Sequence, residues 1–220
     1  MTKHHLIFDL DGTLIDSSDG VVAATNYALT QLGLAVRTDE EIKRFIGFPL
    51  QQMFAAFTDA PYDQLWAHFQ VKAKDSIVGT TVPLPHVEKT LRLLQQQGYR
   101  MAIATTKIKV HVDLILEKCG WESFFETTVG GDEVAQVKPA PDAFELALRR
   151  LDADRHNSIV IGDTINDVLA ARTLQIPVIA VASPYGGHDD LRHAGPTYHI
   201  ESLADLPATL DRHFSDDDVA

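Results

Sequence analysis

Short apolar runs alternate with segments of helical periodicity along much of the chain. Five such runs, each bounded by a polar residue or a glycine, predict buried strands at residues 6–8, 101–104, 127–129, 158–161 and 178–181. Between them, apolar positions recur at helical spacing over residues 87–97, 110–118, 143–151 and 168–174. Because apolar strands that alternate with helices are typical of a parallel sheet covered on both faces, the pattern predicts a doubly wound, mostly parallel α/β core.

The stretch from Ile15 to Val82 breaks this alternation, since it contains helical patterns only. They predict helices over residues 18–32, 39–45, 50–57 and 62–78. Thr38, followed three residues later by Glu41, is a capping-box signature for the second of these helices. Two prolines in residues 82–85 predict a stiff connector that returns to the sheet. We therefore expect a core of residues 1–14 and 83–220, with an α-helical cap of residues 15–82 inserted after the first strand.

The excess of acidic residues argues against some classes of binding partner. The 220 residues are 45% hydrophobic and 23% charged, as in ordinary globular proteins. The formal net charge of −12 repels phosphate backbones and anionic lipids, so we expect neither nucleic-acid nor membrane binding. No apolar run approaches a membrane span, and the apolar segment after Met1–His5 is too short for a signal peptide.

The single cysteine and the chain terminus add little chemistry. Cys119 alone excludes an internal disulfide, favours a cytoplasmic location, and is expected to pack in the core. The acidic tail Asp216–Asp218 is expected to be a solvated terminus. Without a strong exposed apolar stripe, a monomer or weak homodimer is the expected state. The ten histidines show no zinc spacing and are interpreted as surface or packing residues.

Polar residues follow directly after several of the predicted strands. Ligands of open parallel sheets bind beyond the carboxyl ends of the strands, so these residues are the candidates for chemistry. They are Asp9 and Asp11 after the first strand, Thr105, Thr106 and Lys107 after the second, and Asp163, Asn166 and Asp167 after residues 158–161. Lys138 lies in a loop from which it can reach the same edge.

Converging carboxylates require a counter-charge, because they repel one another when ionised. An all-oxygen ligand set suits Mg²⁺ and disfavours zinc. Lys138 and the Thr105 hydroxyl offer a positive charge and a donor to the oxygens of a phosphoryl group. One carboxylate can then act as a nucleophile that forms an aspartyl-phosphate, and a second as acid and base. These residues together predict Mg²⁺-dependent phosphoryl transfer to or from a small molecule.

Four motifs in order resemble those of the haloacid dehalogenase superfamily of phosphohydrolases. Asp-Leu-Asp-Gly-Thr at residues 9–13 resembles the first motif, Thr105 the second, Lys138 in Lys-Pro-Ala-Pro the third, and Gly-Asp-Thr-Ile-Asn-Asp at residues 162–167 the fourth. The resemblance covers essentially the whole chain and implies a Rossmann-like core. The helical insertion, residues 130–133 and the Lys-Pro-Ala-Pro-Asp run resemble the phosphoglycolate phosphatase-like subgroup.

The resemblance implies a role for each matching residue. Asp9 would attack phosphorus, and Asp11 would protonate the leaving alcohol and later activate water. Asp9, Asp163 and the backbone carbonyl of Asp11 would bind Mg²⁺. Asp167, with Asn166 beside it, would orient metal-bound water or Lys138. Thr105 would contact the phosphoryl group, although it could instead cap the helix that starts near Ile108.

Residues that would contact the substrate are harder to identify from the sequence, because their types fit several roles. The candidates are Thr13, Thr106, Lys107, Lys43, Gly47 and Phe48. Thr106 stands where the subgroup usually has Asn. Lys107 and Lys109 could meet a second anionic group, but solvated surface lysines are the preferred interpretation. Residues 47–49 fit a specificity loop or an ordinary interhelical turn, and residues 183–187 fit a pocket rim or a Gly/Pro turn.

The leading hypothesis is a phosphoric monoester hydrolase that acts on a small, phosphoglycolate-like metabolite. A phosphosugar mutase is disfavoured, because the resemblance predicts a histidine where Val21 stands. Inorganic pyrophosphate hydrolysis remains an alternative. Asp11 argues against a dehalogenase, and Lys43 is the only weak candidate for the cap lysine of a phosphonate hydrolase. A catalytically silent phosphate-binding module would be expected to lack Asp9, Asp11 or Asp163, and all three are present.

Overall fold

A computed structural model describes residues 5–214, so the predictions for the acidic tail Asp216–Asp218 and for the first four residues fall outside the described chain. The strands are β1 (His5–Phe8), β2 (Ile15–Asp16), β3 (Val82–Pro83), β4 (Arg100–Ala104), β5 (Thr127–Val129), β6 (Ser158–Gly162), β7 (Val178–Val181) and β8 (Tyr198–Ile200). The helices are α1 (Ser18–Gln31), α2 (Asp39–Lys43), α3 (Leu50–Phe57), α4 (Tyr62–Thr80), α5 (Val87–Gln96), α6 (Lys109–Cys119), α7 (Asp142–Leu151), α8 (Ile165–Thr173), α9 (His188–His193) and α10 (Leu206–His213).

Six strands form one parallel sheet in the order β5-β4-β1-β6-β7-β8. All five predicted strands are present, and the predicted doubly wound α/β class is confirmed. The central strand β1 pairs with β4 and β6, and Phe8 lies opposite both Ile103 and Ile161. Because these three strands are in register, they end at the same level, and the residues that follow them meet at one edge.

The sheet is buried on both faces, as near-continuous apolar strands require. Along β1, Leu6 and Phe8 pack with residues of α5 and α6, whereas Ile7 packs on the other face with residues of α7 and α8. Each fully buried side chain of this size stabilises the fold by about 1.5–3 kcal/mol. This two-sided core makes the strand ends a rigid platform.

Residues 18–80 form four helices, at the positions that their periodicity predicts. α2 ends at Lys43, two residues before its predicted end, and α4 continues to Thr80. The predicted capping box begins α2: Glu41 N–H donates to Thr38 Oγ1 at 3.2 Å, and Thr38 N–H donates to Glu41 Oε2 at 2.8 Å. α1 packs along α4, and the Ser76 hydroxyl lies 3.2 Å from the Gly20 carbonyl.

The chain enters and leaves these helices through a two-stranded antiparallel ribbon. Ile15 of β2 lies opposite Pro83 of β3, and Asp16 lies opposite Val82. The prediction of a simple connector at residues 82–85 is therefore incomplete, because its first two residues pair with β2. Two-residue strands have no periodicity to detect, and β8 was not predicted because Tyr198 and His199 give it no apolar run. No helix among residues 5–214 has the length and apolarity needed to cross a membrane.

Candidate active site

The ends of β1, β4 and β6 bring three side chains of the predicted site together. Asp9 N–H donates to the Ile161 carbonyl at 2.8 Å, which continues the ladder one residue beyond β1. Thr105 N–H donates to the Val129 carbonyl at 3.1 Å and fixes the end of β4 in the same way. Asp9, Thr105 and Asp163 are all fully buried. Their positions follow from strand pairing, as the strand-end argument predicts.

Lys138 connects two carboxylates at this edge. Its Nζ lies 2.6 Å from Asp9 Oδ1, 2.6 Å from Asp167 Oδ1 and 3.1 Å from the Ala104 carbonyl, which engages all three ammonium protons. Burial lowers the pKa of Lys138, but Asp167 and Asp9 raise it more, so the net shift is upward. Lys138 therefore stays charged in a site from which water is excluded.

Asp167 is fully occupied by contacts within the protein. Its Oδ1 accepts from Lys138, and its Oδ2 accepts from Thr164 N–H at 3.0 Å and from the Thr164 hydroxyl at 2.7 Å. The capping box that begins α8 thus also fixes the carboxylate that holds Lys138. Neighbouring Asn166 is buried, and its Nδ2 has no partner within the described chain.

Two buried carboxylate oxygens, Asp9 Oδ2 and Asp163 Oδ2, have no hydrogen-bond partner among residues 5–214. Burial raises the pKa of Asp9 to about 7, Lys138 opposes this rise, and Asp167 adds to it. Burial, followed by the charges of Asp9 and Asp167, also raises the pKa of Asp163. One oxygen each of Asp9, Asp163 and Asp167 lie within 4.8 Å of one another. The unpaired oxygens of Asp9 and Asp163 fit Mg²⁺, a cation that oxygen ligands hold and that would neutralise the repulsion, whereas Asp167 is engaged by Lys138 and Thr164.

Gly12 leaves the space that this arrangement needs. Its φ is +84°, and a Cβ there would lie 2.1 Å from Asp163 Oδ2. Any side chain at residue 12 would therefore displace the Asp163 carboxylate. Thr13, expected on the substrate side, instead donates from its hydroxyl to Asp163 Oδ1 at 3.0 Å and lines neither of the two cavities described below. Thr13 thus orients a carboxylate of the predicted metal site.

Asp11 lines a cavity beside this cluster. Its Oδ1 accepts from the Ser17 hydroxyl, and its Oδ2 lies 3.2 Å from Lys107 Nζ. The Lys107 and Asp11 side chains are each only 7% exposed, so the interpretation of Lys107 as a solvated surface lysine is wrong. Lys109 does lie nearer the surface, where it pairs with Asp113.

A cavity of about 320 Å³ lies between the strand ends and the helices of residues 18–80. Asp11, Thr106 and Lys107 line it from the sheet side. His111 also lines it, although its type and spacing suggested a surface or packing role. Burial and the charge of Lys107 lower the pKa of His111. His111 lies in the first turn of α6, directly after the loop that carries Lys107, and this position is the sequence signal that could have found it.

The loop between α2 and α3 lies directly on the sheet side. Gly47 has a φ of +87°, and a Cβ there would lie 2.6 Å from the Thr164 side chain. Phe48 lines the cavity beside Asp11 and also a second cavity of about 480 Å³ beside Asp163. The predicted specificity loop therefore contacts the fourth motif, whereas Lys43 lines neither cavity.

The segment of residues 183–187 rims the second cavity, as one of its two interpretations predicted. Tyr185, which sequence reasoning did not single out, donates from its hydroxyl to Asp16 Oδ1 at 3.0 Å and accepts from Ser17 N–H at 3.3 Å. Despite partial burial, hydrogen bonds from Ser18 and Tyr185 and the charge of Lys43 lower the pKa of Asp16. Tyr185 thereby ties the loop after β7 to the ribbon.

Thr105 does not cap the helix that follows it. The residue that precedes α6 as its N-cap is Ile108, and the Thr105 hydroxyl instead accepts from Lys107 N–H at 3.2 Å. The helix-cap interpretation of Thr105 is therefore wrong. This contact holds the turn that brings Thr106 and Lys107 to the cavity.

Curated proteins of similar sequence include phosphatases over nearly their whole length. Probable phosphatase IndB of Dickeya dadantii (strain 3937) is 32% identical over 213 residues, which cover 93% of this chain and 92% of that protein. Pyrophosphatase PpaX of Bacillus pumilus (strain SAFR-032) is 32% identical, with 95% and 97% covered. A phosphoglycolate phosphatase of Colwellia psychrerythraea (strain 34H) is 28% identical, with 96% and 98% covered.

A solved structure and a family model each match most of this chain. The crystal structure of a putative haloacid dehalogenase-like hydrolase from Bacteroides fragilis superposes with a TM-score of 0.86 at 30% identity, covering 93% of this chain and 99% of that one. The family model described as haloacid dehalogenase-like hydrolase matches residues 6–181, which include all four motifs. The chain belongs to the haloacid dehalogenase-like hydrolases.

Proposed function

We propose that this hydrolase is a Mg²⁺-dependent phosphatase that cleaves a small phosphate monoester through an aspartyl-phosphate. One observation carries the proposal: two unpaired carboxylate oxygens, of Asp9 and Asp163, are buried beside a charged lysine at the strand ends. A purely structural cluster would be expected to pair these oxygens, because an unpaired buried carboxylate oxygen is costly. A small phosphorylated metabolite as partner and a cytoplasmic location belong to the same proposal.

The first half of the reaction transfers the phosphoryl group to Asp9. Asp9, Asp163 and the Asp11 backbone carbonyl would hold Mg²⁺, which when bound offsets the negative charge of the phosphoryl oxygens. Lys138 fixes the orientation of Asp9 through its 2.6 Å contact. A carboxylate oxygen of Asp9 forms the new bond to phosphorus, while the bond from phosphorus to the alcohol oxygen breaks. Asp11 gives its proton to that departing oxygen, so a neutral alcohol leaves.

The second half regenerates the enzyme. Asp11, now a carboxylate, takes a proton from a water molecule whose oxygen attacks phosphorus. The bond between phosphorus and Asp9 breaks, and inorganic phosphate leaves with Asp9 restored as a carboxylate. Asp11 is suited to both steps because its carboxyl group faces the cavity, where Ser17 and Lys107 hold it.

The relatives supply two candidate substrates, phosphoglycolate and inorganic pyrophosphate. A mutase is supported less, since Val21 lines the cavity at the position where the resemblance would require a histidine. Phosphate release from both compounds, from hexose phosphates and from 4-nitrophenyl phosphate, with Mg²⁺ and with chelator, compares these alternatives directly.

The decisive variant is Asp9→Asn, with Asp75→Asn on the exposed face of α4 as the matched control. We expect Asp9→Asn to lose at least about 10³-fold in turnover, because amide nitrogen and oxygen are poor nucleophiles. Asp75→Asn should keep wild-type turnover. Hydrolysis that persists in chelator, or in Asp9→Asn, would overturn the proposed mechanism.

A further inference from the structure

The wall of the cavity that faces Asp11 is almost entirely apolar. α4 contributes Tyr62, Trp66, Phe69, Ala73 and Ile77, spaced three or four residues apart along one face of the helix. Phe45, Phe48, Leu50 and Met53 extend this wall from the segment before α3 and from α3 itself. Phe69, Ala73 and Ile77 of this stripe are buried in the core, whereas Tyr62 and Trp66 stay half-buried where the stripe borders about 320 Å³ of open space.

The rings of this wall are arranged in a stack. Tyr62 and Trp66 lie with centroids 6.4 Å apart and planes inclined by 19°, and Trp66 and Phe69 with centroids 6.0 Å apart and planes inclined by 15°. Phe69 is buried, whereas Trp66 and Tyr62 are half-buried. Tyr62, at one end of the stack, and Trp66, in its middle, are therefore partly open to the cavity. Such rings add favourable contact to another aromatic ring beyond the area that they bury.

The charges around the cavity do not suit a second anionic group. Within the described chain, residues 15–82 contribute no lysine, arginine or histidine to its lining, and their polar members include the amides Gln51 and Gln70. From the sheet side, Lys107 is already paired with Asp11. Asp132 adds a negative charge, and burial lowers the pKa of His111, which favours its neutral form. A carboxylate or second phosphate beyond the scissile bond would therefore lose its hydration and meet, among residues 5–214, a single lysine in this lining, Lys107, which Asp11 already contacts.

From this composition we infer that the preferred substrates are phosphate monoesters of uncharged alcohols that carry an aromatic ring, which stacks against Trp66 and Tyr62. This inference rests on the proposed phosphatase function and specifies its substrate class. Phosphoglycolate and pyrophosphate, whose leaving groups carry further negative charge, are then poor substrates despite the names of the relatives. The cavity selects the leaving group, and the cluster around Lys138 performs the cleavage.

Two matched esters test the inference in the wild-type enzyme. Benzyl phosphate and 4-carboxybenzyl phosphate share the ring and the scissile bond but differ by one negative charge. We expect kcat/KM for benzyl phosphate to exceed that for the carboxylated ester, phosphoglycolate and pyrophosphate by about 10-fold or more. Equal or higher values for any of the anionic compounds would overturn the inference while leaving the phosphatase function intact.

Adjacent positions on α4 provide a matched pair of variants. Gln70 lines the cavity, whereas neighbouring Val71 is 61% exposed and does not. We expect Gln70→Lys to lower the preference for benzyl over 4-carboxybenzyl phosphate about tenfold, because it supplies the missing cation. Val71→Lys adds the same charge outside the cavity and should leave the preference unchanged. If the ratio of kcat/KM for benzyl phosphate to that for 4-carboxybenzyl phosphate were the same in both variants, this wall would not be the site of the leaving group.

A binding measurement separates the two proposals if no ester is hydrolysed. Benzylphosphonate, which cannot be hydrolysed, should quench the fluorescence of Trp66 when it is titrated in the presence of Mg²⁺, and Trp66→Phe should abolish that part of the quenching. Phosphonoacetate should bind at least about tenfold more weakly. Selective binding of benzylphosphonate without turnover of any ester would refute the phosphatase proposal and support the cavity assignment. Tighter binding of phosphonoacetate would refute the assignment itself.

Discussion

The two sides of the cavity are built in opposite ways. On the sheet side, buried charged groups lie in direct contact, and Lys138 donates all three of its ammonium protons to groups fixed by strands or by a helix start. On the helical side, half-buried rings such as Trp66 border open space, and residues 15–82 add no positively charged side chain to the lining of the cavity. We therefore expect most substitutions on the sheet side to impair folding or turnover. Single substitutions on the helical side should instead change which ligand the cavity prefers.

Removing Lys138 is the most severe way to break the sheet side of this contrast. Lys138→Met would leave Asp9 and Asp167 buried without their shared cation. We expect turnover to fall by about 10²–10³-fold and the free energy of unfolding by about 3–5 kcal/mol. Urea unfolding and phosphate release measure the two effects.

A double variant then separates charge balance from catalysis. Asp167→Asn combined with Lys138→Met removes one of the two uncompensated charges, so much of the lost stability should return while turnover stays low. Recovery of turnover together with stability would show that Lys138 acts only in folding. Loss of neither property in the single variant would mean that the paired cluster is not what fixes the sheet side.

Gly12 offers a smaller change at the same edge, with a control that the chain itself supplies. Gly12→Ala should lower the affinity for Mg²⁺ by about 10–100-fold, because the new Cβ would occupy the place of Asp163 Oδ2. Gly33 also has a positive φ, of +68°, but has no atom within 4 Å of a Cβ position. Gly33→Ala therefore imposes a similar backbone strain of about 1–2 kcal/mol without the clash. The melting temperatures of the two variants, measured at increasing Mg²⁺ concentrations, compare their affinities for Mg²⁺. Equal losses of affinity would contradict the role of Gly12 in leaving space for the Asp163 carboxylate.

The pKa of Asp9 offers a test of the sheet side that needs only a change of pH. Its pKa rises from 3.8 to about 7 on folding, so the folded protein holds the additional proton between these values. The resulting stabilisation is fully present below pH 3.8 and is lost as the pH rises to about 7, in the absence of metal. Protons and Mg²⁺ compete for this carboxylate, so Mg²⁺ should raise the melting temperature more at pH 8 than at pH 6. Asp9→Asn should reduce that difference, and an equal Mg²⁺ effect at both pH values would contradict it.

Sequence reasoning predicted which polar side chains meet at the strand ends better than it predicted what surrounds them. Asp9, Thr105 and Asp163 could be found because each follows an apolar run, and parallel strands bring such positions to one edge. Lys107 was misjudged because its burial depends on the helices that cover it, which no local pattern reports. Tyr185 was missed because its partner Asp16 is 169 residues away. Trp66 belongs to an apolar stripe that looks the same whether it meets a core or a cavity.

The ribbon formed by β2 and β3 has a consequence for how proteins of this architecture can diversify. Because Ile15 lies opposite Pro83, the chain leaves the sheet side and returns to it at adjacent points. A different stretch of chain could be joined at the same two residues without altering any strand pairing in the six-stranded sheet. The chemistry, by contrast, is assembled from Asp9, Lys138 and Asp163, which are far apart in sequence, and cannot be replaced as a unit. The helical wall of the cavity can therefore be exchanged as one contiguous segment, whereas the cluster at the strand ends depends on the whole sheet.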